Sequence, residues 1–300
     1  MLSAVKLFAM TGKLRPIVTF VLLVFALSCI PYALIIRSHH LGVGGGLITG
    51  VLMWMPATAA LLTCALLKID VASLGWNWRP VRYEALAYVL PILYAGPVYV
   101  ACWIFVPHSL AYGGFASSAA QAYLMPHSPN AAAAIEILVF ATFGIVRSLS
   151  SALGEEIGWR GFLLPRLSGR FGFTVGCLIS GCIWAVWHYP ALLLADYNSG
   201  TPKPYALACF TAMVIAMAFV MGWMRLRSGS LWPCALLHAS HNLFVQAIFD
   251  RLTQPQSRAL YATTEFGFGM AITIAIVAVY LVVRHPVGAL TSEVSATAAA

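Results

Sequence analysis

Glu155 and Glu156 stand side by side in the stretch Ser151-Ala-Leu-Gly-Glu-Glu-Ile-Gly-Trp-Arg160, within a sequence that otherwise avoids charge. Charges in an apolar segment are costly. An Asp, Lys or Arg at mid-bilayer costs roughly 2.5–3.5 kcal/mol on insertion scales, so such groups are usually paired and kept for a function. On a helix Glu156 and Arg160 share a face at i,i+4, the spacing of an ion pair. Glu155 points about 100° away from them. Its own i+4 neighbour is Trp159, read here as an apolar wall. Poor solvation beside a like charge suits Glu155 to take a proton from water as a general base.

Two further polar islands follow. In Trp184-Ala-Val-Trp-His188 the imidazole shares a helix face with Trp184 one turn below. In His238-Ala-Ser-His241-Asn242, His238 and Asn242 share a face and His241 lies about 60° to the other side. A carboxylate and an imidazole can together activate one water, and side-chain donors can receive a developing oxyanion. The same residues also make a donor set for zinc or iron, two carboxylates with up to three imidazoles and an open position for water, although no HExxH is present. Each island read singly also fits plain structural glue, because an intramembrane His often just hydrogen-bonds between helices. His241 reads as a packing or supporting residue. Arg147 and Glu136 are expected to line the bundle interior or to snorkel towards an interface.

The elements that must position these groups are membrane helices. The chain has 300 residues, 61% hydrophobic and 9% charged, against about 25% charged in a soluble domain. That excludes a cytosolic globule, so the net charge of +8 is not a nucleic-acid signal and instead reports orientation and anionic lipid. Apolar runs at 16–36, 41–67, 83–106, 137–164, 173–194, 205–224, 231–249 and 264–283 predict an all-α, polytopic bundle of eight transmembrane helices. The first run is too long for a signal-peptide core and is read as an uncleaved span. With the amino terminus inside, twelve of the 17 Lys and Arg fall on the inner side. Four fall outside, Arg37, Lys203, Arg251 and Arg258, and Arg147 lies within a span. The bias places both termini in the cytoplasm.

Residues 1–285 read as a single transmembrane domain with its motif core at 150–250, and 286–300 as a disordered cytoplasmic tail. The segment 107–130, without Lys or Arg, reads as a mobile or interfacial outer loop. Pro165 is expected to close the fourth span. The glycines at 42, 44, 45 and 46 predict a close helix contact in preference to an unwound start. The seven cysteines, with no CxxC spacing, read as small buried hydrophobes.

Depth is a test that the islands pass. At 1.5 Å per residue from the inner helix ends, Glu155 lies about 14 Å up, His188 about 22 Å, His238 about 10 Å and Asn242 about 16 Å. All four occupy a common band in or near the cytoplasmic half of the bilayer.

EExxxR, then an aromatic-xxx-His helix, then HxxxN, in that order on three apolar helices, resembles the CPBP family of intramembrane proteases. That family groups CAAX prenyl endopeptidases with bacterial relatives of the Abi group. The motifs cover 155–242, and Trp184 stands where many members carry Phe. The resemblance implies an intramembrane endopeptidase cutting near the cytoplasmic face. By it, Glu155 and His188 activate water, and His238 and Asn242 form the oxyanion hole. Glu156, Arg160 and Trp184 support the site or meet the substrate's terminal carboxylate. It also implies no cofactor, with a zinc enzyme as the alternative. The expected partners are a peptide or membrane-protein substrate, lipidated or not, and the lipid bilayer, with no nucleic acid. The expected location is the bacterial inner (cell) membrane. A nonproteolytic scaffold or immunity protein and a polar-lined transporter are the other function classes. The transporter is disfavoured because the polar groups cluster at one depth and no inverted repeat is visible.

Overall fold

The structure is a computed structural model describing residues 4–78 and 81–287, with side chains from residue 14 onward. The segment expected to be a disordered tail lies outside the described residues beyond 287. Among the described residues the fold is all helical, with one isolated β-bridge between Leu110 and Thr253.

Helices α1 (Ala4–Ser38), α2 (Leu47–Leu67) and α3 (Val81–Phe105) come first, and α4 (Tyr112–Ala122) follows. A long run then passes through α5 (Pro129–Val139), α6 (Ile145–Glu156) and α7 (Leu164–Phe171), joined by π-helical turns at Phe140–Gly144 and Ile157–Leu163. The remaining helices are α8 (Phe173–Leu194), α9 (Lys203–Ser228), α10 (Trp232–His241), which continues as π turns over Asn242–Phe249, and α11 (Phe268–Arg284). Six of these runs are long and apolar enough to cross a membrane, and α11 is a shorter apolar helix. With α10 and its extension they account for the eight apolar runs of the sequence.

Contacts at the helix ends fix the relative directions. His40, after α1, pairs with Asp196, after α8. Tyr205 at the start of α9 bonds the Tyr261 carbonyl and receives the Phe268 N–H, whereas Trp223 near the end of α9 bonds the His285 carbonyl. Helices α9 and α11 are therefore parallel. Trp232 bonds the Trp76 carbonyl at one end, and Ala111 N–H bonds Leu252 at the other, so α3 and α10 also run together. One end of the bundle gathers 68–78, α7, 228–231 and the close of α11. It carries most of the basic residues and is called the basic end below.

Two glycines bring the motif helix against α2. A Cβ on Gly154 would lie 2.7 Å from the Met53 carbonyl oxygen, and one on Gly158 would lie 2.5 Å from Pro56 Cβ. This Gly-xxx-Gly pair allows the backbones to touch where lipid supplies no hydrophobic drive for association. The glutamates stand between the two glycines.

Four expectations change. Pro165 does not close its helix. It sits in the first turn of α7, where its missing N–H costs nothing, and the widened π turn before it carries the run on to Gly172 (φ 82°). The glycines before α2 form an unwound start, with Gly44, Gly45 and Gly46 at positive φ and no close neighbour at Gly45 or Gly46. The segment 107–130 holds α4, whose Ala119 and Ala120 pack with Ala132 of α5. Finally, Cys29 and Cys182 are exposed, and the buried cysteines are 64, 102, 177 and 234.

Candidate active site

Glu155 stands in the last turn of α6, fully inside the protein, 1% exposed. Its Oε2 accepts two indole hydrogen bonds, from Trp184 Nε1 at 2.8 Å and from Trp159 Nε1 at 3.1 Å. Trp159 is thus a donor as well as a wall, because the i+4 spacing that stacks it below the carboxylate also delivers its N–H. Oε1 has no hydrogen-bond partner among the described residues.

Glu156 points the other way. Its Oε1 accepts from Arg160 Nη1 at 2.7 Å and meets His238 Nδ1 at 2.9 Å, with both acidic and basic side chains sealed from solvent. The Arg160 guanidinium lies 3.9 Å from the Trp184 ring centroid, and the Arg160 carbonyl accepts Arg225 Nε at 3.0 Å. Trp184 is consequently packed between the two halves of the motif. It binds Glu155 through its N–H and faces Arg160 with its ring.

His188 is half-buried. Its Nδ1 lies 2.9 Å from the Trp184 carbonyl, which can only accept, so Nδ1 carries the proton and Nε2 presents its lone pair. Trp187, Phe210 and Tyr197 surround the ring. His238 stands edge-on to Trp184 at 5.6 Å between centroids. Asn242 opens the π-helical extension of α10 and is half-buried, with no hydrogen bond to its amide among the described residues.

Glu155, Trp184, His188, His238 and Asn242 line one cavity of about 690 Å³. Glu156 and Arg160 do not line it and form its packed floor with Arg225. From Glu155 and Met221 the lining climbs away from the basic end to Leu41, Gly46 and Arg251, and its exposed members include Arg147, Ser150 and Arg251. Among the described residues no three His, Cys, Asp or Glu side chains converge as metal ligands.

The sequence reading missed Glu265, which precedes α11. Its Oε2 accepts from Tyr197 Oη at 2.7 Å and Gln246 Nε2 at 3.0 Å, and its Oε1 meets His241 Nε2 at 3.1 Å. His241 Nδ1 in turn lies 2.6 Å from Tyr94 Oη. His241 and Glu265 both line the cavity, so His241 joins a polar wall instead of merely packing. A carboxylate opening an apolar run was the available signal. Glu136 bonds Arg251 at 2.5 Å, while Arg147 lines the cavity.

Residues 121–244 match the family model described as "Type II CAAX prenyl endopeptidase Rce1-like". The chain is also similar to "CAAX prenyl protease 2" of Methanococcus maripaludis, 25% identical over 83 residues. That alignment covers 27% of this chain and 31% of the relative, so the chain matches about a third of that protein's length. The family match contains all three motifs and ends two residues beyond Asn242. The motif order, the helical bundle and both similarities agree in likening this chain to the CPBP, or CAAX protease, family.

Proposed function

We propose that the protein is an intramembrane endopeptidase. The observation that carries the reading is that Glu155, His188, His238 and Asn242, from three separate helices, open onto one chamber inside the bundle. Glu155 Oε1 and His188 Nε2 are the acceptors left for a water. The water gives up a proton to them as its oxygen bonds to the substrate's carbonyl carbon. His238 and Asn242 donate to the oxygen that gains charge. With Nδ1–H held by Glu156, His238 donates through Nε2 as the imidazolium, whose charge Glu156 balances. The proton taken from water then passes to the leaving nitrogen as the C–N bond breaks.

Zinc fits this donor set poorly. Glu155 Oε2 is occupied by two N–H donors and His238 Nδ1 by Glu156, so no step is routed through a metal. Glu156 and Arg160 are supporting residues, since neither reaches the chamber. The cut is proposed near the cytoplasmic face, as the motif resemblance implies, and the chamber's lining runs from Glu155 away from the basic end towards Leu41, Gly46 and Arg251. The substrate is a peptide or membrane protein, with a lipid anchor compatible with the chamber's Met and aromatic walls, and the working location is a cell membrane.

The test is proteolysis by purified protein in lipid against fluorogenic peptides, prenylated and not, beside Glu155→Ala, His188→Ala and a chelator-treated sample. Cleavage lost in both folded variants and retained after metal removal supports the reading. Loss on chelation with recovery in zinc replaces it with a metalloenzyme. Equal inertness of the folded wild type and variants favours the scaffold.

A further inference from the structure

We propose that Glu265 is a positioning residue for the reaction, holding the His188 ring in its working orientation through Tyr197. The inference rests on the proposed endopeptidase reading and adds to it a residue outside the three motifs.

Among the described residues His188 has one hydrogen bond, from Nδ1 to the Trp184 carbonyl. A ring held at one atom still tilts, because the outer torsion of a histidine is broad. Packing must do the rest. Trp184 and Trp187 touch the ring from its own helix, α8. Tyr197 at 6.0 Å and Phe210 at 5.3 Å between centroids come from outside that helix, and both end on one turn. Tyr197 donates to Glu265 Oε2 at 2.7 Å and packs on Phe266 at 5.2 Å, while Phe210 stacks on Phe266 at 5.6 Å. Glu265 and Phe266 therefore close the circle of contacts behind the imidazole.

The two outer rings differ in what fixes them. Phe210 is buried in the middle of α9, and the helix holds it. Tyr197 lies in the irregular segment 195–202 between α8 and α9, where no regular backbone bonding sets its place. Its bond to Glu265 supplies that place.

The turn that presents Glu265 is over-determined. Thr264 has φ 61°, a left-handed conformation that a β-branched residue avoids. Tyr99 Oη accepts the Thr264 N–H at 2.8 Å, and Thr264 Oγ1 accepts the Phe266 N–H at 3.2 Å. A Cβ on Gly267 would stand 2.1 Å from the Thr263 carbonyl oxygen. Backbone strain of this kind persists only where the surroundings enforce it, and it clusters at functional sites. The Glu265 carboxylate is buried, and its three hydrogen bonds all go to the protein, to Tyr197, Gln246 and His241. It thus acts through Tyr197, and the lone pair offered to water remains that of His188 Nε2. A carboxylate suits the position because it only accepts, whereas an amide would turn its own N–H groups towards one of those donors.

The experiment uses the full chain in nanodiscs, with Glu265→Gln, Glu265→Asp, Tyr197→Phe and the Glu265→Gln/Tyr197→Phe pair, folding being checked by thermal unfolding. Nitrogen NMR of histidine-labelled protein reads the ring, with His188→Ala to assign its signals, and steady-state kinetics reads cleavage. Wild type is expected to show one His188 tautomer, protonated at Nδ1. Glu265→Gln and Tyr197→Phe should each mix the tautomers and lower kcat about tenfold to a hundredfold with little change in KM, the scale of a small misplacement of a reacting group. Glu265→Asp should recover part of both. The double variant should fall no further than the worse single one, because the two residues act as a unit. If Glu265→Gln does not fold, Tyr197→Phe, which keeps the ring and removes only Oη, decides alone. An unchanged His188 signature and kcat in folded Tyr197→Phe overturn the proposal, as do additive losses in the pair, and cleavage by those variants leaves the endopeptidase standing. If wild type cuts nothing while the tautomer still follows Glu265 and Tyr197, the positioning stands and proteolysis falls.

Discussion

Trp184 donates its indole N–H to Glu155 Oε2 at 2.8 Å, and its own carbonyl accepts the Nδ1–H of His188 one turn on. A single residue therefore sets both the orientation of the carboxylate and the tautomer of the imidazole. The backbone half of that arrangement survives any substitution, but the indole half does not. Trp184→Phe is expected to lower kcat about tenfold to a hundredfold with little change in KM, the scale of one hydrogen bond to a charged group, about 1.5–3 kcal/mol. Steady-state kinetics on a cleaved peptide checks it. An unchanged kcat would mean that Trp159 alone suffices to hold Glu155.

The Glu156–Arg160 pair is a structural element beneath the chamber, and its loss should be read in folding. Removing one partner strands a charge in a dry interior, at about 3–5 kcal/mol. Glu156→Gln and Arg160→Met are each expected to lower Tm markedly in detergent. The double replacement by apolar residues should lower it less than either single change. Additive losses would show that the two side chains act independently.

Gly154 and Gly158 should tolerate no side chain. Alanine at either position meets α2 backbone atoms or the Pro56 ring at under 3.0 Å, contacts that cannot be relieved by rotating a flexible side chain. Both variants are expected to unfold at lower temperature than wild type and to lose activity as α2 is pushed from the motif helix. Gly169→Ala, where nothing lies near the new Cβ, is the control and should behave as wild type. Thermal unfolding of the three proteins decides it.

Asp250, just past the π-helical extension of α10, has its carboxyl raised to about 7 by burial, with Glu265 adding to the shift and the bond from Tyr99 opposing it. The unfolded value is about 3.9. A raised acid favours the folded state fully below the unfolded value. Its contribution shrinks as pH climbs between the two values and is gone above about 7. Stability is therefore expected to decline from pH 4 towards pH 7 through this group, against whatever other groups contribute. Asp250→Asn should flatten that part of the profile. Unfolding midpoints across pH 4–8 for the two proteins are the check, and identical slopes would remove Asp250 as the cause.

Much of the site was legible because membrane sequence is sparing with polarity. Against an apolar background Glu155, Glu156, Arg160, His188, His238 and Asn242 stand out individually, and helical spacing alone pairs Glu156 with Arg160, as the structure places them. What was hidden depends on detail below the helical period. Trp159 read as a wall because spacing gives the face of a ring and not the direction of its N–H. Glu265 was passed over because it lies outside the three motifs, and only the fold carries it to His241. Pro165 misled because a proline stops a regular helix but is accommodated in the first turn after a widened one. The glycines before α2 could equally serve packing or left-handed backbone, and composition does not distinguish these.

The floor formed by Glu156, Arg160 and their buried neighbours has a consequence for traffic. On the proposed reading, a chamber closed on the side of Glu156 and Arg160 would return a cleaved fragment past the rim at which Arg147, Ser150 and Arg251 are exposed. Turnover then depends on how quickly that shared doorway clears. A fragment slow to leave would obstruct the next substrate as a competitive inhibitor.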